Sequence, residues 1–136
     1  MSAFMLKLIK PTCSFLSYHL QRVRFRFILA EKLETVVTRS VANARPRDFY
    51  DIHVLMGTMG EGVDMLTLRE ALDSTCEKRG SQAAIARWAE VLDDVASDAA
   101  MLAQWAKYVR KNPYAKGILL QDCCATAKAT LASVMG

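Results

Sequence analysis

This chain has little that breaks a helix. Among 136 residues there are 6 Gly and 3 Pro, while alanine, leucine and valine dominate. Few breakers with much alanine favour an all-helical fold. Metal-ligand and disulfide spacing is missing too. The cysteines are Cys13, Cys76, Cys123 and Cys124, two of them adjacent and none in a CxxC pair. Such spacing fits neither a zinc site nor a disulfide framework, and points to free thiols in a reducing cytoplasm. His19 and His53 lie far apart with no third ligand spaced to suit them, and no Ser/His/Asp arrangement stands out. No apolar run approaches the roughly 18 residues of a membrane span. The opening MSAFMLKLIKPTCSFL is interrupted by Lys7, Lys10 and Pro11. A signal peptide carries its charges before the apolar run and a small-residue cleavage site after it. The expectation is therefore a soluble, cytoplasmic protein. No fixed-period repeat or low-complexity tract is visible.

What is present suits one domain. The chain is 52% hydrophobic, enough for a single core and against wholesale disorder. A net charge of +4 and a pI near 9.0 are mildly basic, not the profile of a dedicated nucleic-acid binder.

Residues 1–27 form an atypical N-terminal segment. Arg22, Arg24 and Arg26 alternate with Val23, Phe25 and Phe27, which is strand periodicity. A lone strand needs a partner and no second one is evident, so the stretch equally extends the helix that follows. From Ile28 the helical pattern is clear, with Ile28, Leu29, Leu33, Val36 and Val37 apolar and Glu31, Lys32, Glu34 and Arg39 between them. Ser40 to Ala44 is a link. Pro46 suits the first turn of a second helix, Asp48 its positive end, and Phe49, Ile52, Leu55 and Met56 its buried stripe. Gly57, Gly60 and Gly62 mark a loop.

A third helix starts either at the Thr67/Glu70 capping box or at Asp64, and stops at Gly80. Ser81 caps a fourth, with Ile85, Trp88, Val91, Leu92 and Val95. Ser97 or Asp98 caps a fifth, with Met101, Leu102, Trp105, Tyr108 and Val109. A last helix spans about Gln121 to Val134. Five or six helices result, in a domain of residues 28–136. Trp88 and Trp105 are both expected in the core.

Chemistry concentrates between Ile28 and Met56. Lys32 lies on one helix, and Asp48 and Asp51 share a face of the next. On pattern alone Lys32 is a solvated residue between Glu31 and Glu34, and the aspartates are a helix-start charge and a surface residue. A cation with two carboxylates on adjoining helices is also the raw material of a phosphate site, a metal ligand pair or a general base. Arg39, Arg45 and Arg47 flank the carboxylates, to pair with them or to offer guanidinium forks to phosphates. Lys107, Arg110, Lys111 and Lys116 gather near Tyr108 and Tyr114. They fit a weak RNA- or phosphate-facing patch, or a basic helix C-terminus complementing the dipole.

AEKLE (30–34) followed by RPRDFYDI (45–52) resembles the AbiEii/AbiGii toxin family, nucleotidyltransferase-like toxins of bacterial toxin–antitoxin and abortive-infection (phage defence) systems. CEKRG (76–80), Trp88, the Trp105–Tyr108 pair and NPYAKGI (112–118) continue the resemblance in the order of the family's helical C-terminal half, over roughly residues 28–134. The resemblance implies transfer of a nucleotide from a triphosphate to an acceptor, in this family often tRNA. It implies that Lys32 holds the triphosphate and that Asp48 and Asp51 activate the acceptor or order the site; Arg45 and Arg47 are phosphate-binding candidates beside them on their charge alone. Mg²⁺ and a nucleoside triphosphate are expected for the full-length family, and neither is assured for this chain. An antitoxin protein and a tRNA or other RNA acceptor remain open as partners, with no membrane. The chain departs from the family where a glycine-serine turn with two metal-binding carboxylates belongs. Residues 1–27 contain no aspartate or glutamate, SYHLQ (17–21) lies too far upstream to be the strand before the AEKL helix, and no metal ligand is assigned. The expectation is a truncated copy with one half of an active site, or an inactive helical remnant that binds antitoxin or RNA without catalysis.

Overall fold

A computed structural model describes residues 15–42 and 44–135 of the chain, with side chains described from residue 23 onward. The opening apolar run, Cys13, the SYHLQ side chains and that of Arg22 lie outside the described part. Seven α-helices and two short 3-10 turns make up the described fold, and no strand occurs among the described residues. The helices are α1 (Phe15–Arg39), α2 (Pro46–Met59), α3 (Met65–Arg79), α4 (Gln82–Ile85), α5 (Trp88–Ser97), α6 (Ala99–Lys111) and α7 (Leu120–Met135). The all-α expectation holds. The count exceeds six because the expected fourth helix is interrupted at Ala86 and Arg87, leaving a single turn, α4, before α5.

The alternating stretch Arg22–Phe27 is helical, not a strand. Phe25 stands one turn before Leu29, and both are buried, as are Ala30, Leu33, Val36 and Val37, while Phe27 is exposed. The helical stripe outweighs the local alternation because it alone lets these side chains share one core face. Ser40 closes α1 in the left-handed region with φ 47°, a turn conformation that ordinary L residues rarely adopt.

Pro46 opens α2 as expected, its missing N–H costing nothing there. The end of α2 lies beyond Met56. Gly57 remains helical, the Thr58 hydroxyl donates to Val54 O at 2.9 Å, and only Gly60–Gly62 turn away. One helical glycine costs about 1 kcal/mol relative to alanine, too little to stop a helix whose flanks are packed. Of the two starts considered for α3, Asp64 is the cap: its carboxylate accepts from Leu66 N at 3.0 Å. Gly80 ends α3 with φ 66°. Ser81 occupies the cap position of α4 without making a side-chain capping bond, and Asp98 caps α6 by accepting from Met101 N at 2.8 Å.

Helix α1 packs chiefly on α3, α2 on α7, and α5 on α7, with α1 and α2 also in contact. Phe49, Leu29, Leu33, Ile52, Leu55, Leu68, Leu72 and Leu92 fill the space between them. Cys76, Cys123 and Cys124 are free and buried. Burial pushes the Cys123 and Cys124 thiols up to about 12, so they behave as small hydrophobes. Glu34 does not lie on a solvated face. It is 3% exposed, bonded to the Thr38 hydroxyl at 3.1 Å and paired with Arg79, which ties α1 to the end of α3.

The two tryptophans divide. Trp105 is buried and donates from Nε1 to Ile118 O at 3.0 Å, whereas Trp88, at the first position of α5, is only half-buried against the core. We predict that Trp105→Ala lowers stability by about 3–5 kcal/mol. Trp88→Ala should cost roughly 1–2 kcal/mol, in proportion to the smaller area removed from water. Denaturant melts of both variants check this; equal losses would contradict the assigned burial.

Candidate functional site

The link between α1 and α2 is short, and it sets the last three turns of α1 beside the first two turns of α2. Lys32 projects from α1, and Asp48 and Asp51 from α2, one helical turn apart. Lys32 Nζ donates to Asp48 Oδ1 at 3.0 Å and stands 3.0 Å from Asp51 Oδ2. Lys32 and Asp51 are therefore not the solvated residues that the pattern alone favours, whereas Asp48 does sit in the first turn of α2, at its positive end. The Lys32 side chain is 22% exposed, that of Asp48 12% and that of Asp51 1%.

Asp51 is the unusual member. Neither of its carboxylate oxygens takes a well-directed hydrogen bond among the described residues, so the Lys32 ammonium and the more distant Arg47 guanidinium, 3.8 Å away, hold it by charge. A buried carboxylate without such cations is costly. Burial on its own depresses the Lys32 ammonium, but the adjacent Asp48 and Asp51 carboxylates more than offset it, and the lysine pKa ends above its usual value. Lys32 therefore stays charged at neutral pH.

The flanking arginines differ. Arg47 leans over Asp51 with most of its own side chain in water, an arrangement worth little as an ion pair by itself. Arg45 is the N-cap residue of α2. It is exposed, caps nothing with its side chain, and accepts Asp48 N at its backbone oxygen, 3.1 Å away. Neither Arg39 nor Arg45 forms an ion pair among the described residues.

A tyrosine cluster borders the charges. Tyr50, between the two aspartates in sequence, is buried, and its ring lies 5.0 Å from that of Tyr114 and 6.2 Å from that of Tyr108. The Tyr108 and Tyr114 hydroxyls are 2.9 Å apart. Burial, the neighbouring tyrosine and the Asp51 charge all push the Tyr108 and Tyr50 hydroxyls upward, which keeps them protonated. Tyr50 is the member that sequence reasoning misses. Its place inside RDFYDI was the available signal, obscured because a tyrosine at helical spacing reads as core. His53 takes no part: its Nδ1 sits 2.8 Å from the Thr126 hydroxyl on α7.

No group of three or more His, Cys, Asp or Glu side chains is placed to hold a metal ion among the described residues. Asp48 and Asp51 are both paired with the Lys32 ammonium, and so paired these two side chains do not fit a divalent cation. Nor do Lys32, Asp48 and Asp51 line either of two recesses found among the described residues. One of these, of about 370 Å³, begins at Pro46, two residues before Asp48.

The family model described as nucleotidyl transferase AbiEii toxin, type IV TA system, matches residues 7–122. The chain belongs to this family of nucleotidyl transferase toxins. Comparison with curated proteins and with solved structures yields no match. Among the described residues no helix is long and apolar enough to cross a membrane.

The ion-pair geometry predicts a specific stability pattern. Lys32→Ala strands the Asp51 charge and should cost about 3 kcal/mol, the lower end for breaking a buried pair because Lys32 keeps some solvent. Adding Asp51→Asn removes the stranded charge, so the double variant should be more stable than Lys32→Ala alone. Simple additivity in urea melts would refute the coupling. A lysine raised above its usual 10.5 lends stability that is complete below that pH and is lost as pH rises through the folded-state value. The Lys32 contribution should therefore be constant from pH 7 to pH 9 and decline only beyond about 10.5.

Proposed function

We propose that this chain serves a type IV toxin–antitoxin system as a nucleotidyltransferase component, with Lys32, Asp48 and Asp51 as its contribution to the transfer site. Family membership supports the coarse activity. The observation that carries the residue assignment is the convergence of one ammonium and two carboxylates at 3.0 Å across two helices.

In this reading Lys32 meets triphosphate oxygens as a point charge. Arg45 and Arg47, both exposed at the start of α2, add cations on the approach. A carboxylate of the pair takes a proton from an acceptor hydroxyl. Asp48 is the better placed for this, since Asp51 is almost wholly buried and acts by holding Lys32. Nucleoside triphosphate is the substrate, a tRNA or other RNA the acceptor, and an antitoxin protein the partner.

Metal chemistry is not assigned to these residues. Phosphoryl-type transfer depends on positioning and on neutralising the triphosphate, and residues 1–27 supply no carboxylate for it. We therefore propose that residues 28–136 work as the helical half of a site whose metal-holding carboxylates this sequence does not contain. A second reading has its own support. Both aspartates are already paired with Lys32, which suits a closed structural clamp in a helical domain that binds antitoxin or RNA without catalysis.

Incubation of the purified chain with labelled triphosphates, Mg²⁺ and total tRNA tests the assignment. We expect no labelled tRNA from the chain alone, and triphosphate binding that Lys32→Ala abolishes. Labelled tRNA that vanishes in the Lys32→Ala variant would overturn the half-site reading. Triphosphate binding untouched by that substitution would overturn the role of Lys32.

A further inference from the structure

Helix α6 and the turn after it form a distinctive stretch of surface. Residues 99–121 contain four lysines and arginines, Lys107, Arg110, Lys111 and Lys116, and no aspartate or glutamate. None of the four forms an ion pair among the described residues. The dipole of α6 accounts for cations in its last turn, where Arg110 and Lys111 sit. It does not account for the recess on this face.

That recess, of about 370 Å³, is walled by Gln104, Lys107, Tyr108 and Lys111 from α6, with Asn112 beyond them and Pro46 from the start of α2. Lys107 and Lys111 are one helical turn apart and therefore stand on the same side. Both are exposed, as is Gln104. Tyr108 lines the recess and is bonded through its hydroxyl to Tyr114, which is 39% exposed. The aromatic cluster is thus fixed beside the cations, not floating on a loop.

We propose that this recess and its tyrosine rim bind a single-stranded polynucleotide, with consecutive backbone phosphates on Lys107 and Lys111 and an unstacked base against Tyr114. Single strands are held in this way elsewhere: a cationic groove tracks the backbone while aromatic rings take the bases. A lone phosphate would need no aromatic rim, and a duplex would offer no free base face. Gln104 and Asn112, the latter donating its side-chain amide to Tyr108 O at 2.8 Å, add polar groups to the same wall. Binding here requires neither triphosphate nor Asp48 and Asp51. Its link to nucleotide transfer does rest on the function proposed above. Because the recess begins at Pro46 on the helix that carries Asp48, a strand seated there would lead toward the Lys32 cluster.

Fluorescence anisotropy with a labelled short oligouridylate, at increasing salt, tests the proposal. We expect binding at low salt that Lys107→Ala/Lys111→Ala weakens by about tenfold or more, with the slope of log affinity against log salt falling by about 1.4, or about 0.7 per lost phosphate contact on a single strand. Tyr114→Ala should weaken binding by about fivefold or more, as loss of a stacked base does, and Lys32→Ala should leave it intact. A second readout needs no variant: bound oligouridylate should shield Lys107 and Lys111 from acetylation and leave Lys78 reactive. Absence of binding at low salt, an unaltered double variant, or equal acetylation of the three lysines would overturn the proposal. So would displacement of the oligonucleotide by polyglutamate as readily as by unlabelled oligouridylate, which would assign the face to an acidic protein. Loss of triphosphate binding in Lys32→Ala with oligonucleotide binding retained separates this site from the one proposed above.

Discussion

A buried carboxylate needs a cation, and in this fold that need joins the first two helices. Asp51 is 1% exposed and has no well-directed hydrogen bond among the described residues. Lys32, from the preceding helix, is the near charge that makes its burial tolerable. The position of α2 relative to α1 follows, and with it the apolar contacts of Phe49 and Ile52 on one side and the tyrosine cluster on the other. A neutral residue at position 32 would leave the same helices with an unpaired charge between them. Apolar packing alone would then have to offset it.

Much of the fold was legible in the sequence, because helix ends are local chemistry. Pro46, Asp64, Gly80 and Asp98 mark boundaries through their own dihedral preferences or hydrogen bonds, with no help from distant residues. The places left open or misread are those where tertiary packing decides. Arg22–Phe27 alternates like a strand, yet Phe25 finds its core only in a helix. Gly57 looks like a loop residue, yet packed flanks carry the helix through it. Glu34 looks solvated, and only the arrival of Arg79 from α3, 45 residues later in the chain, explains its burial.

The candidate site was legible in kind but not in state. On spacing alone Lys32 and Asp51 are surface charges and Asp48 a helix-start charge, and the resemblance to a toxin family raises them to a phosphate-and-acid set. What neither source contained is that the lysine is held by both carboxylates at once. That pairing requires α1 and α2 to be neighbours, a property of the chain's path and not of any single motif. The same holds for Tyr50, Tyr108 and Tyr114, which come from α2, α6 and the turn after it to make one rim. A site of this kind joins charges whose partners are distant in sequence, so it combines a structural duty with whatever chemistry it performs. Substitutions at Lys32 therefore alter stability and ligand binding together. Neutralising Asp51 as well removes the stranded charge, so the stability loss is relieved while the effect on triphosphate binding remains.

The most direct test of the central claim watches the Lys32 ammonium itself. In proton–nitrogen correlation spectra of the lysine side chains, an ammonium held by two carboxylates exchanges its protons slowly enough to be seen at neutral pH. The account predicts such a signal for Lys32, lost in the Asp48→Asn/Asp51→Asn variant and displaced when nucleoside triphosphate is added, while exposed Lys78 shows neither behaviour. A Lys32 signal that stays in place at saturating triphosphate would contradict its assignment as the phosphate-holding residue.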